Sequence, residues 1–391
     1  MKILVALAGL DNKNAGRQPW SYVVSIARAA SLSGHEVTLV SDGENLPGLG
    51  IRIATIKGFR SFPRGISREF RAHVAREKYD LVIWPAGITD FFFTEGIRSI
   101  AAPVIAVITS PVYRLSDILS LGAAVIGEFR LIPHFLLGTL LSERRTASFF
   151  GAANVRSVIF ESEGTMERVL RREINKEIYL IHPSVSDKFL EALENGKSSV
   201  TRKRGASILY FGPPLSARGL DTLIRAVAIA RKKEPRVELT VLSRTEDPFL
   251  SVREKAMRDI IEREGVSGHV EIVTGMLDAR DIARRILAAD IVALPFKIRV
   301  SDAPLAVLEA LASGVPVITT DASGFSPKMF PGYWMSIVRE NNPCELAACI
   351  VGILKGMGGN AKRAAPDPER FSFEVLRRKI EKVIGGVLSV R

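Results

Sequence analysis

The segment 288–321, AADIVALPFKIRVSDAPLAVLEALASGVPVITTD, constrains the fold of this chain more than any other part of it. It reads as strand, loop, helix, tight turn and strand. Ile291 to Leu294 suit a short buried strand, and a polar loop runs from Lys297 to Ala303. Pro304 suits a first helical residue, because its fixed φ and missing N–H are no handicap there. The helix is expected to reach about Ser313. Gly314 then supplies a left-handed stop, Pro316 bars continuation, and 317–319 is the next strand. A loop and a helix N-terminus thus stand at the carboxyl ends of parallel strands, where outward-pointing N–H groups and the helix dipole favour anions. One turn inside lies Glu309, on a helix otherwise built of Leu, Ala and Val. Burying that carboxylate is costly without hydrogen-bond partners. A ligand bearing hydroxyl groups, or a structural arginine, would supply them.

The rest of the chain has the same grammar. Stretches 3–8, 36–41, 51–56, 81–84, 104–109, 157–161 and 178–181 are short apolar strands, with helical patterns between most of them, including 20–33 and a helix capped by Ser67. A second series begins at 208–211 and continues through strands 237–242 and 270–273 and helices 220–232, 252–264 and 279–288. Such alternation predicts parallel sheets covered by helices on both faces. The polarity rise over 184–205, ending in TRKRG, places a boundary there. The expected organisation is a first Rossmann-like domain over 1–185, a second over 186–370 and a C-terminal helix over 371–391 packing back on the first. No GxGxxG follows the first strand, so a simple dinucleotide-binding reading lacks its main support.

With 391 residues, 47% of them apolar and 25% charged, the chain has a globular composition. Its longest apolar runs are interrupted by Glu128, Arg130, His134 and Glu143. None reaches the roughly 20 residues that span a bilayer. The opening MKILVALAGL is read as a first buried strand rather than a signal peptide. Cys344 and Cys349 match neither a CxxC pair nor a zinc site, and are expected as core residues of a reduced, cytoplasmic protein. No DxD pair is present and no metal site is expected.

The net charge of +12 suits an anionic membrane surface, phosphorylated substrates or nucleic acid. Its densest cluster runs from Arg52 to Lys78 and includes Lys57, Arg60, Arg64, Arg68, Arg71 and Arg76, interleaved with Phe59, Phe62 and Phe70. No RNA-binding signature accompanies it. The expectation is therefore contact with an anionic membrane surface, and no nucleic acid. The apolar stretch 131–141 is expected as a core helix, with lipid contact as the alternative.

The opening segment resembles the nucleotide-sugar site of the GT-B glycosyltransferases, in particular the retaining family 4 branch (glycosyltransferase group 1). That branch carries two glutamates eight positions apart. The resemblance implies that Glu309 holds the donor ribose. The first glutamate falls on Ser301, leaving Asp302 as the nearby acid that could meet the transferred sugar; either residue could instead cap the following helix. Backbone around Ala303, Pro304 and Leu305 would face sugar or phosphate, although Pro304 has no N–H to give. The stretch 210–223, YFGPPLSARGLDTL, resembles a second family motif in which an arginine and a lysine clamp the donor diphosphate. Here Pro213 stands at the arginine position, and Arg218, which grips phosphate bidentately, at the lysine position. Gly212 shapes that loop and Lys297 is a further cation. In the first half, the flexible loop 8–19 matches a glycine-containing loop facing the donor phosphates, with Gly16 and Arg17 as candidates. Thr109, Ser110 and Pro111 stand where many relatives carry a histidine.

The resemblance implies two doubly wound Rossmann-like domains facing across a cleft. It also implies a retaining transferase that moves a sugar from a nucleoside-diphosphate sugar to a glycan, lipid-linked or small acceptor, without metal or other cofactor. The expected location is cytoplasmic, peripheral on the inner face of a membrane. The alternative is a non-catalytic GT-B protein that binds nucleotide or glycan, or serves as partner subunit of an active transferase.

Overall fold

The computed structural model describes residues 1–43, 48–61, 65–121, 132–170, 174–196, 206–243, 250–275, 277–357 and 367–389. Phe62, Arg64, Glu128, Arg130, the TRKRG stretch and Pro366 lie outside the described residues.

The first half runs β1 (Lys2–Ala6), α1 (Trp20–Leu32), β2 (Glu36–Ser41), β3 (Arg52–Thr55), β4 (Arg60–Ser61), β5 (Gly65–Ile66), α2 (Arg68–Glu77), β6 (Leu81–Ala86), α3 (Thr94–Arg98) and β7 (Val104–Ile108). It continues with α4 (Leu115–Leu121), α5 (Ile132–Thr139), α6 (Glu143–Phe150), β8 (Val155–Phe160), α7 (Glu163–Val169) and β9 (Glu177–Leu180). The second half runs α8 (Asp187–Gly196), β10 (Ala206–Phe211), α9 (Leu220–Arg231), β11 (Val237–Ser243), α10 (Leu250–Arg263), β12 (Val270–Thr274), α11 (Ala279–Ala288) and β13 (Ile291–Leu294). It ends with α12 (Leu305–Ala312), β14 (Val317–Thr320), β15 (Met335–Val338), α13 (Pro343–Met357) and α14 (Phe373–Ser389).

Two parallel sheets organise these elements. One has seven strands in the order β3-β2-β1-β6-β7-β8-β9, the other six in the order β12-β11-β10-β13-β14-β15. Their central strands are Val-, Ile- and Leu-rich and buried on both faces, as helices on either side require. In both sheets the strand order reverses beside the first strand of the unit. That leaves a crevice at the carboxyl ends of the strands, where ligands of open α/β sheets bind. β6 extends beyond Trp84, where the sequence reading ended it, because Pro85 and Ala86 still pair with Val107 and Ile108.

The last helix belongs to the first sheet's core. Leu376, Ile380, Val383, Ile384 and Val387 make one helical stripe, packed with Tyr22, Val23, Ile26 and Ala27 of α1.

Several surface expectations need correction. Phe59 and Phe70 do not interleave with the basic residues on the surface. They are fully buried and stacked at 5.1 Å, with Trp84 edge-on to both. Their apolar bodies are worth more in the core than beside charged neighbours. Arg60 turns inward to Asp90 and the Pro85 carbonyl, while Arg52, Lys57, Arg68, Arg71, Arg76 and Lys78 remain exposed. On α5 only Phe135 is buried, against Tyr113; Ile132, Leu136 and the following Leu140 face outward, as do Leu115 and Leu119 on α4. Cys344 is exposed and Cys349 half-buried on α13, so neither is a fully buried core residue. Among the described residues no helix is long and apolar enough to cross a membrane.

Candidate functional site

The second sheet presents three adjacent loops at its carboxyl edge, after β10, β13 and β14. After β10 the chain turns through Gly212 at φ +132°, a conformation open to glycine. A Cβ at Gly212 would stand 2.6 Å from Nη1 of Arg218, so the missing side chain is the space that the guanidinium fills. Arg218 lies half-buried, 5.6 Å from the Phe296 ring centroid. Tyr210 donates from its hydroxyl to the Pro213 carbonyl at 2.9 Å, which fixes the loop from below. Gly219 (φ +75°) begins α9 so close to the next loop that a Cβ there would lie 1.8 Å from the Pro295 oxygen. The loops after β10 and β13 are therefore built against each other.

The β13 loop is less polar in its setting than its sequence suggests. Lys297 is 6% exposed and paired to Asp221 of α9 at 2.6 Å, while its backbone N–H donates to Ala217. It braces the Arg218 loop instead of reaching freely into the crevice. Ile298 packs with Ala217, Tyr113, Leu121 and Phe135, which brings α4 and α5 of the first half over this loop.

Asp302 requires the largest correction. It does not stand open to a sugar: it is 2% exposed, and its Oδ1 accepts hydrogen bonds from Ser162 (2.6 Å) and Thr165 on the first half of the chain. Arg299, also buried, donates to Thr165 Oγ1 at 3.1 Å and to the Asp321 carbonyl at 3.2 Å. Gly164 donates its N–H to the Gly324 carbonyl at 3.1 Å alongside. A Cβ on Gly164 would sit 2.2 Å from Arg299, and one on Gly324 2.9 Å from Ser162 Oγ. Burial raises the Asp302 carboxyl above the usual carboxylate range, against the opposing pull of Arg299 and the two hydroxyls. Burial likewise lowers Arg299 to about 10, and neighbouring Arg168 adds to the fall.

Pro304 is the N-cap of α12, in extended conformation (ψ 115°), and the helix starts at Leu305 rather than at the proline. Ala303 is fully buried, Ser301 and Leu305 are half-buried, and Gly314 ends the turn at φ +71°. Glu309, half-buried one turn inside, lies on the helix that follows the loop and close in sequence to its N-terminus.

In the first half, the turn after β1 is ordered by its own polar side chains. Asp11 accepts from the backbone of Lys13 and Asn14, Asn14 donates to the Gly9 carbonyl at 2.6 Å, and Asp42 accepts from Gly9. The expectation of a plain flexible loop is thus replaced by an Asx-type turn. Gly16 and Arg17 are exposed on it. Thr109 follows β7, nearly buried, and donates its N–H to Ala86.

Sequence reasoning missed Glu161. It follows β8 directly and is 1% exposed, with Oε1 lacking a hydrogen-bond partner. Burial first, and Asp302 second, hold its carboxyl well above the usual range. Tyr22 and Asp302 share this buried neighbourhood. The signal was present, a carboxylate at the end of an apolar run, but it reads equally as the first polar residue of a loop. Ser162, Thr165 and Arg299 carried no local signal at all. Among the described residues no group of His, Cys, Asp and Glu is arranged to hold a metal ion.

Residues 205–356, which carry the β10, β13 and β14 loops, match the family Glycosyl transferases group 1. A phosphatidyl-myo-inositol mannosyltransferase of Mycolicibacterium smegmatis is 24% identical over 185 residues, 46% of this chain and 45% of that protein. The chain therefore aligns with under half the length of that relative. The sucrose-phosphate synthase of Thermosynechococcus elongatus superposes over 100% of both chains at 17% identity and a TM-score of 0.68. Anabaena HepE in complex with UDP superposes over 99% of this chain and 100% of its own, at 17% identity and a TM-score of 0.66. The glycosyltransferase WaaG, involved in lipopolysaccharide biosynthesis, does so over 97% and 98%, at 15% and 0.58. The chain has the GT-B fold, and its second half carries a glycosyl transferases group 1 domain.

Proposed function

We propose that the chain is a nucleotide-sugar glycosyltransferase acting with retention and without a metal ion. The observation that carries this reading is the loop pair after β10 and β13: Gly212 makes room for the half-buried Arg218, which lies against Phe296 of the loop that leads into α12, and Glu309 follows one turn inside that helix. The donor pyrophosphate would rest against Arg218 and the free N–H groups at the start of α12. Glu309 would accept from the ribose hydroxyls, and Ser301 would meet the sugar. The reaction then needs chiefly stabilisation of the charge developing on the leaving phosphate, which fixed donors provide without reorganisation. A glycan or lipid-linked acceptor would enter from the first half. HepE, similar in fold, was solved with UDP and with UDP-glucose, so uridine donors are the first to test.

The exposed cations from Arg52 to Lys78, with the outward Leu115, Leu119, Leu136 and Leu140, support peripheral attachment to an anionic membrane. A second reading, a non-catalytic GT-B protein, is favoured by one observation. The acid that would replace the first motif glutamate, Asp302, is committed to Ser162 and Thr165.

Titration of the wild type and Glu309→Ala with UDP, GDP, ADP and their sugar conjugates, read by melting temperature, tests the site. A shift with one nucleotide that disappears in Glu309→Ala is the expected result. Release of nucleoside diphosphate from the matching donor, without acceptor, then separates enzyme from binding protein. No shift with any nucleotide overturns the glycosyltransferase reading and leaves the non-catalytic GT-B protein.

A further inference from the structure

A cavity of about 220 Å3 lies where the end of β9, the segment leading to α14 and α14 itself meet the second half at Met329 and Phe330. Its polar lining is one-sided. Arg370, Lys379 and His182 all reach it, and no carboxylate lines it. Arg370 is held in place: it donates to the Met329 carbonyl at 2.6 Å and lies 5.6 Å from the ring centroids of Phe330 and Tyr333. Lys379 has no hydrogen bond or ion pair among the described residues. Burial depresses its ammonium, and the nearby Arg370 depresses it further. The same two cations add to the burial that lowers His182 to about 4, so the ring is neutral and the three groups sense one another across one space. The first turn of the 17-residue α14 opens here, with Ser372 accepting from Val375 N–H. Arg370 and Lys379, the latter on the second turn of α14, are both solvent-exposed like charges beside one cavity, an arrangement that favours an anion between them. Beside Arg370 the lining is apolar: Phe330 and Phe371 stack at 5.9 Å and 22°.

We propose that this cavity binds a small phosphorylated organic anion, with Lys379 and Arg370 holding the phosphate and the Phe330–Phe371 pair its apolar body. The site shares no residue with the donor loops and goes beyond the glycosyltransferase reading. Because its wall draws on both halves of the chain and on α14, an occupant would tie all three together.

The test is thermal melting of the full chain at constant ionic strength, with phenyl phosphate and inorganic phosphate as probes. Phenyl phosphate is expected to raise the melting temperature by several degrees, and inorganic phosphate by less. The shift should vanish in Lys379→Glu and in the milder Lys379→Gln, which guards against misfolding of the reversal. It should persist in Arg218→Gln and in the surface control Lys232→Glu. No shift with either probe overturns the proposal. So does a shift kept in both Lys379 variants and lost in Arg218→Gln, which would place the phosphate in the donor loops. An equal response to the two probes overturns the role given to the aromatic wall.

Discussion

Ser162 Oγ donates to Oδ1 of Asp302 at 2.6 Å, joining residues 140 positions apart and the two halves of the chain. Thr165 donates to the same oxygen, and Oδ2 is buried without a partner. One oxygen of Asp302 thus takes both hydroxyl contacts. Removing it in Asp302→Ala leaves two buried hydroxyls without their acceptor and Arg299 without the opposite charge beside it. Breaking a buried charged network on one side costs on the order of 3–5 kcal/mol. Asp302→Asn keeps an oxygen at the Oδ1 position and removes the burial penalty on the charge, so it should cost distinctly less. Chemical denaturation of the three proteins checks this. Equal losses for the two variants would mean that ionisation, not the hydroxyl contacts, holds the halves together.

Glu161 gives a prediction in pH. Its carboxyl is raised in the folded state, chiefly by burial and then by Asp302. Between its unfolded value and that higher one the folded chain holds the extra proton, so stability falls as pH rises through this window and stays reduced above it. Glu161→Gln has no proton to lose. It should match the wild type near pH 4 and exceed it in stability at pH 7. Denaturant midpoints at the two pH values decide the matter, and a glutamine variant less stable than wild type at pH 7 would contradict it.

His182 acts with the opposite sign. Burial lowers it from 6.5 to about 4, so the folded chain keeps the ring neutral while the unfolded chain takes up a proton. Stability from this residue is present above about pH 6.5 and is lost as pH falls toward 4, by roughly 3 kcal/mol in all. Its Nδ1 lies 2.7 Å from the Glu161 carbonyl and its ring packs edge-on to Phe325. His182→Asn retains a polar group there and should flatten the acid limb between pH 6.5 and 4. A limb unchanged in steepness would assign that loss to other groups.

How much of this was legible in the sequence varied with the range of the interaction. The alternation that gives two parallel sheets was legible because strands buried on both faces are continuous apolar runs, and Gly314 announces its turn locally. The helix start was misplaced by one residue because Pro304 suits both cap and first turn. The role of Asp302 was not legible. Nothing near position 302 signals that Ser162 and Thr165 will arrive opposite it. Buried charges such as Glu161 and Arg299 look like surface residues until tertiary contacts enclose them. The outward leucines of α5 were read as core for the converse reason: an apolar stripe does not say whether a partner covers it.

Gly212→Ala tests the donor loop without touching a charge. At φ +132° a non-glycine residue is strained, by about 1–3 kcal/mol. Its Cβ would also meet Arg218 Nη1 at 2.6 Å, and the guanidinium must swing away. The variant should therefore lose stability and bind the preferred nucleotide at least tenfold more weakly, while Gly34→Ala, at φ +85° beyond α1 with open space around it, loses stability alone. Nucleotide affinity left intact in Gly212→Ala would remove Arg218 from the donor site.

Attachment to lipid should follow two independent surfaces. Arg68, Arg71 and Arg76 project from the exposed face of α2, and Leu136, 58% exposed, lies in the outward stripe of α5 with Ile132 and Leu140. Charge attraction acts within a Debye length of about 10 Å at 0.1 M salt, whereas apolar insertion is insensitive to salt of that strength. Sedimentation with phosphatidylglycerol vesicles should weaken at least tenfold when Arg68, Arg71 and Arg76 are all changed to Glu, and should lose its salt dependence. Leu136→Ser should weaken binding by a factor that is the same at low and high salt. Wild-type protein that ignores anionic vesicles at low ionic strength, where attraction is strongest, would exclude the membrane as the partner of both surfaces and leave the leucine stripe to a protein.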